Sequence, residues 1–240
     1  MDFHHKIQEI DVTLWEKFRV SFHPDPNVNL IVGRNGSGKT TLLNEIEQIC
    51  RKRGLKYIYI PSIDNLTVKD KRKKASALSQ DLDSYIYDMQ TGPSLMYYRM
   101  SILDASPSIQ TKVKRRIEDF CNLVNSLFCE TGKHIEITGN KFIINANGVS
   151  LSTADLSSGE KQLLLLLLRV FLLDGKESVV LIDEPENSLD ISWQYNLVNL
   201  LVRLNPDAQF FITTHSPSIF SDGWGDKIIY MEDVTSNIRE

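Results

Sequence analysis

The chain has 240 residues, of which 42% are hydrophobic and 24% charged, with a formal net charge of −4. That length buries a full core, enough for one large domain or for a domain carrying an inserted lobe. The composition excludes a fibrous or disordered chain, and the mild negative charge argues against general polyanion affinity while leaving room for a local basic patch.

Residues 1–10 are polar and charged, unlike a secretory leader, so an intracellular, cytoplasmic protein is expected. Residues 12–22 alternate and carry aromatics, as early strands do, and Pro24 and Pro26 mark a turn. Val28–Val32 is a continuous apolar run, the mark of a strand covered on both faces. Gly33-Arg34-Asn35-Gly36-Ser37-Gly38-Lys39-Thr40 follows at once, with a helical pattern over 40–53 behind it. Glycines between a strand and a helix let the backbone wrap round an anion, with N–H groups turned inward at the helix start. This is the pattern of a phosphate-binding loop, in which Lys39 reaches β- and γ-phosphates and the Thr40 hydroxyl ligates Mg²⁺. Arg34, Asn35, Gly36, Ser37, Gly38 and Thr41 complete the nucleotide-binding set, although Arg34 alone reads equally well as a solvated side chain. A chance glycine-rich turn is the plain alternative, and the two correct flanks weigh against it.

Gly54 stops the first helix, and 57–60 reads as a strand closed by Pro61. From residue 62 the character changes. A basic run covers 69–74, helical patterns cover 75–98 and 111–130, and two alternating segments around Gly139-Asn140 signal a hairpin. A second basic group lies at 112–116, and a solvated face is the default reading of both groups. The cysteines Cys50, Cys121 and Cys129 are odd in number and have no metal-type spacing with histidines, so all three are expected as buried, reduced thiols. The apolar run 163–173 is far shorter than the roughly 20 residues needed to span a bilayer and reads as a buried helix, so no membrane partner is expected.

Two further motifs carry chemistry. Val179–Ile182 is an apolar strand that ends in Asp183-Glu184. Ligands of parallel sheets bind at the carboxyl ends of strands, so Asp183 is placed to hold Mg²⁺ and Glu184 to take a proton from an attacking water. Leu156-Ser157-Ser158-Gly159-Glu160-Lys161-Gln162 precedes the leucine helix, with Ser157 or Ser158 as its cap. Ser158 and Gly159 offer a second anion site, and one triphosphate cannot occupy two separate loops of one monomer. A two-fold dimer resolves this, each loop completing the other copy's site.

The phosphate loop, LSSGEKQ, VVLIDEPE, Asn187-Ser188-Leu189-Asp190 and Thr213-Thr214-His215-Ser216-Pro217 stand in the order of the ABC-type ATPase superfamily, and the chain resembles its soluble branch. That branch includes SMC-type and Rad-type repair ATPases and the overcoming-lysogenization-defect (OLD) ATPases. EPENSLDISWQ and AQFFITTHSP are similar to small bacterial OLD-like ATPases, which often accompany an effector, frequently a nuclease, in anti-phage or mobile-element operons. The resemblance implies an α/β P-loop NTPase fold with a mostly parallel central sheet, in one domain over 1–240. Residues 1–61 and 156–240 would form the nucleotide-binding core and 62–155 an inserted, mainly helical lobe.

It implies ATP and Mg²⁺ as ligands, Asp190 in contact with the partner copy's site, and His215 at the γ-phosphate. The expected function is an ATPase that closes head-to-tail on ATP and switches an effector encoded by a neighbouring gene. Two alternatives stand beside it: a scaffold with little hydrolysis that holds an effector or nucleic acid, and a transporter's ATP-binding subunit. The transporter reading lacks its Mg²⁺-sensing glutamine, for which Gln80 and Gln90 are weak candidates. Trp15 and Phe18, the aromatics upstream of the loop, read as sheet or core residues rather than as an adenine platform.

Overall fold

The computed structural model describes residues 5–65, 76–90, 92–139 and 141–238. In chain order the elements are β1 (Ile10–Leu14), β2 (Phe18–Phe22), β3 (Val28–Val32), α1 (Lys39–Arg53), β4 (Tyr57–Ile60), α2 (Ala77–Tyr87), α3 (Leu95–Met100), α4 (Pro107–Phe128), β5 (Lys133–Thr138), β6 (Lys141–Ala146), β7 (Val149–Leu151), α5 (Ser158–Phe171), β8 (Val179–Asp183), α6 (Ile191–Leu204), β9 (Gln209–Thr214), β10 (Ile228–Tyr230), α7 (Met231–Val234) and β11 (Thr235–Asn237), with short 3₁₀ turns between some of them. They fall into two compact units, 1–65 with 173–240, and 66–172.

The first unit is built on a five-stranded sheet in the order β10-β3-β9-β8-β4, with all four pairings parallel. Parallel neighbours need crossovers, which is why strand and helix alternate on either side of the second unit. A separate antiparallel sheet, β1-β2-β11, joins the N-terminal hairpin to the C-terminal strand. Leu42, Leu43, Ile46 and Cys50 of α1 are fully buried with Ile31, Val179, Leu181 and Phe211 from the sheet. Gly54 ends α1 at φ 65°, its N–H turning back to the Arg51 and Cys50 carbonyls. The first turn of α1 holds no acid and its last holds Arg51, Lys52 and Arg53, so the helix dipole is offset at one end only. Buried Gln209 pins the N-terminal segment by accepting from Ile7 N–H (2.8 Å) and donating to the Ile7 carbonyl (2.9 Å).

In the second unit the helical run expected over 75–98 is broken. It forms α2 and α3, because Gly92 and Pro93 stand between them and proline disfavours the helical region for its predecessor. α4 starts earlier than the expected Thr111, with Pro107 in its first turn. The hairpin gains a third strand, β7, through a turn at Asn147 (φ 51°) and Gly148 (φ 80°), an Asn-Gly signal that the sequence reading passed over.

Ser157 caps α5 and forms a reciprocal box with Glu160. The far end of α5 places Phe171 against Phe120 (centroids 4.5 Å apart) and beneath the Arg116 guanidinium (5.0 Å). Residues 156–172, expected with the nucleotide-binding core, are therefore grouped with 66–155 by their packing. Cys50 and Cys121 are buried, and burial pushes their thiols up to about 12 and about 11. Cys129 is exposed, against expectation, because α4 has ended and its side chain lies on the following 3₁₀ turn.

Candidate functional site

The register of the parallel sheet assembles the site. Val32 pairs with Thr214 and Asp183 with Thr213, so the loop after β3, the acids ending β8 and the turn after β9 emerge together at the carboxyl edge. The loop is shaped by Gly36 at φ 77° and Gly38 at φ 93°. A methyl at Gly38 would come within 2.8 Å of the Trp15 ring, and one at Gly33 within 2.6 Å of Ser37 Oγ, so both positions are closed to larger residues. Gly38 caps α1 without a side-chain bond, so the cap residue supplies no acceptor for the first-turn N–H groups.

Lys39 is 4% exposed and its Nζ donates to the carbonyls of Gly33 (3.1 Å) and Arg34 (3.3 Å). Nζ also lies 2.6 Å from His215 Nε2 and 3.9 Å from Glu184 Oε1. Burial pulls the Lys39 ammonium below its ordinary value, although the carboxylates of Glu184, Asp183 and Glu186 oppose this. His215 Nε2 is 3.0 Å from Glu184 Oε1. One ring nitrogen cannot both accept from Lys39 and donate to Glu184, so the tautomer decides which bond is made.

The Thr40 hydroxyl donates toward both oxygens of Asp183 (3.1 and 3.0 Å). The Thr213 hydroxyl donates to Asp183 Oδ1 (2.7 Å) and accepts from Glu184 N–H (3.1 Å). Glu184 sits at φ 47°, a conformation costly for a residue with a Cβ and one that often marks a working site. Tyr59 stays a neutral phenol, pushed up to about 12 by burial and by the carboxylates of Asp183 and Glu47.

Asn35, Gly36, Lys39, Thr40, Thr41, Glu184 and His215 line a cleft of about 330 Å³, walled by Trp15 and Gly38. The lining suits a triphosphate on two observations: two glycines at positive φ, Gly36 and Gly38, and a lysine held almost fully buried beside them. The oxygens of Thr40 and Asp183 are hard ligands at a spacing that a Mg²⁺ ion could share. Among the described residues no cluster of three or more His, Cys, Asp or Glu forms a metal cage, so phosphate and water would complete such an ion's shell.

Arg34 and Ser37 of the expected set do not line this cleft, and Ser158, Gly159 and Asp190, expected at the site of a second copy, lie elsewhere in the chain. Arg34 has a 92% exposed side chain, 3.7 Å from Glu232, outside the cleft. Ser37 lines a neighbouring cleft of about 470 Å³ with Leu14, Trp15, Phe18, Met231 and Thr235. Asp190 caps α6, bonded to Ser192 N–H (2.9 Å), and is exposed. Ser158 is exposed and Gly159 buried at the start of α5, in the other unit. Gln80 is buried on α2 and Gln90 exposed beyond it.

Trp15 corrects the sequence reading. It is 52% exposed at a hairpin tip where Trp15 (φ 51°) and Glu16 (φ 59°) are both left-handed, and it separates the two clefts rather than filling the core. Thr213 and Glu186 were also missed, since only strand register brings them to Asp183 and to the His215 turn. The basic run 69–74 lies outside the described residues.

Residues 51–221 match the family profile described as "AAA domain, putative AbiEii toxin, Type IV TA system", and residues 6–55 match one described as "AAA domain". The chain is 39% identical over 88 residues to the "Retron Ec83 probable ATPase" of Escherichia coli, a stretch covering 32% of this chain and 16% of that protein. It is 28% identical over 130 residues to the "Retron Vc95 probable ATPase" of Vibrio cholerae serotype O1 biovar El Tor, covering 50% and 24%. The matched segments thus span less than a quarter of these relatives' length. Among solved structures, an SMC head bound to the C-winged helix domain of ScpA superposes with a TM-score of 0.53 at 15% identity, covering 93% of this chain and 96% of that one. That likeness shows a shared fold, the α/β P-loop fold of an SMC head. No helix among the described residues is long and apolar enough to cross a membrane.

Proposed function

The chain belongs to the AAA-domain family whose profile spans its residues 51–221, and on that premise we propose that it is an Mg²⁺-dependent ATPase whose two copies close head-to-tail on ATP to switch an effector. The observation that carries this reading is the meeting of Lys39, Thr40, Asp183, Glu184 and His215 around one cleft at the carboxyl edge of a parallel sheet. Lys39 and the loop N–H groups hold the β- and γ-phosphates, joined by Asn35, Gly36, Gly38 and Thr41. Thr40 and Asp183 hold the Mg²⁺, which when bound neutralises charge on the phosphate oxygens. Glu184 accepts the proton of the attacking water, and the His215 ring, lying between Glu184 and Lys39, contacts the γ-phosphate.

Trp15 and the second cleft supply an aromatic wall for the base. The Ser158-Gly159 start of α5 and the Asp190 loop complete the site of a second copy. The two relatives named as retron ATPases, and the operon habits of OLD-like ATPases, support an effector partner in phage defence.

The test is Glu184→Gln, which preserves shape and removes the base. Phosphate release is expected to fall by about 10²-fold or more while ATP still binds. Light scattering should then detect an ATP-dependent dimer. Phosphate release at the unaltered rate would remove Glu184 from the mechanism, and a strictly monomeric variant saturated with ATP would remove the dimer. A scaffold acting on nucleic acid is the second reading, favoured by Lys112, Lys114 and Arg115 exposed along α4. Salt-dependent nucleic-acid binding that persists in the Glu184→Gln variant would support it.

A further inference from the structure

Glu186 lies three residues beyond Asp183 and has no part in the chemistry above. Its Oε1 accepts from the Thr214 hydroxyl (2.8 Å), from His215 N–H (2.7 Å) and from Ser216 N–H (3.3 Å). Two consecutive backbone N–H groups aimed at one carboxylate oxygen make a small anion nest. The Ser216 hydroxyl donates to Gln194 Oε1 (2.7 Å), and Gln194 Nε2 donates back to the carbonyls of Leu189 (3.0 Å) and Glu186 (3.4 Å). The ring of bonds therefore closes on itself. It fastens the turn that carries His215 to the loop between β8 and α6.

The second carboxylate oxygen, Oε2, is buried and has no hydrogen-bond partner among the described residues. A buried half-satisfied carboxylate is costly, and a strand end can be capped by a serine or an asparagine at less cost. What the carboxylate adds is charge-assisted grip on the main chain of His215. That matters because the ring itself is one-third exposed, and its contacts are Lys39 and Glu184, the groups it is proposed to work with. The ring's place is therefore set from its own backbone.

We propose that Glu186 is a positioning residue for ATP hydrolysis, holding the His215 turn so that its ring stands between Glu184 and Lys39. The inference rests on the reading of His215 as a γ-phosphate contact, and the experiment separates the two. Steady-state ATPase rates and fluorescent-ATP affinity are measured for His215→Ala, Glu186→Ala, Glu186→Gln and the double variant His215→Ala/Glu186→Ala. Glu186→Ala is expected to lower kcat by about tenfold or more, with KM and nucleotide affinity within about threefold of the parent. Glu186→Gln keeps an acceptor oxygen without the charge and should restore only part of that loss. Once His215 is gone, removing Glu186 should cost no more than about twofold, since residues acting as a unit are not additive.

If Glu186→Ala does not fold, Thr214→Val removes one of the three donors and should lower kcat alone. Losses in kcat that simply add in the double variant, or that track KM and thermal stability together, would overturn the proposal and leave His215 in place. An unaffected His215→Ala enzyme would overturn the reading of His215 and this inference with it.

Discussion

Gly38 shows how much a single residue decides. At φ 93° it costs nothing as glycine, whereas any side chain would be strained there and would also meet Trp15 at 2.8 Å and Leu14 at 3.1 Å. Gly38→Ala is expected to cost about 1–3 kcal/mol of stability and to weaken nucleotide binding, as read by thermal unfolding and a fluorescent-ATP titration. Shortening the ring as well, in Gly38→Ala/Trp15→Ala, should recover little, because the backbone angle remains. Full recovery would mean that contact, and not conformation, fixes the glycine. The glycine was plain from the motif, but Trp15 as its neighbour was not: the tip of one hairpin reaches a loop more than twenty residues further on only once β1 and β2 pack beside α1.

At the level of elements, the start of α5 carries the buried Glu160 paired with the half-buried Lys133. Glu160 is 1% exposed, its oxygens accept from Lys133 Nζ at 2.8 and 2.7 Å, and one of them also accepts from Ser157 N–H at 2.7 Å. Burial alone would push this carboxyl up, but the bonds from Lys133, Ser157 and Thr131 outweigh it and hold it below its ordinary 4.5. A depressed carboxyl contributes stability that is present above the unfolded value and lost as pH falls through the folded one. In Lys133→Met the carboxyl loses its main depressing partner and moves up, so the stability lost by the substitution should be largest near neutral pH and shrink on acidification, as read by denaturant unfolding at neutral and at acidic pH.

The same variant leaves a buried charge unpaired and is expected to cost about 3–5 kcal/mol by denaturant unfolding. Lys133→Met/Glu160→Met should regain much of that loss; if it does not, the pair acts through more than charge. The cap was legible in Ser157-Ser158-Gly159-Glu160, since a capping box is a short-range pattern. Its basic partner was not, because Lys133 comes from a strand 27 residues upstream.

For the molecule as a whole, ligand linkage separates a site complete in one chain from a site completed by two. A nucleotide that binds only the folded state raises stability by about 2.7 kcal/mol at a hundred times its Kd. If a second copy supplies Ser158, Gly159 and Asp190, the ATP-induced rise in Tm of the Glu184→Gln variant should grow with protein concentration. A rise that is the same at all protein concentrations would place the whole site within one chain.

The glycine loop after β3, the Asp183-Glu184 strand end and the α5 cap were readable from the chain because each follows a local rule: a glycine for a positive φ, an apolar run for a covered strand, a serine for an orphan N–H. Helix α1 and strands β3, β4 and β8 emerged near their expected limits for the same reason. The helical run over 75–98 failed where Gly92 and Pro93 overrode periodicity. Folding alone settled who meets whom. Thr40 reaches Asp183 across 143 residues and Lys39 reaches His215 across 176, through the pairing of β3, β9 and β8. Register between distant strands is set by the packing of the whole sheet, and no spacing within the chain encodes it, so Thr213, Glu186 and the exposed Trp15 became visible only in three dimensions.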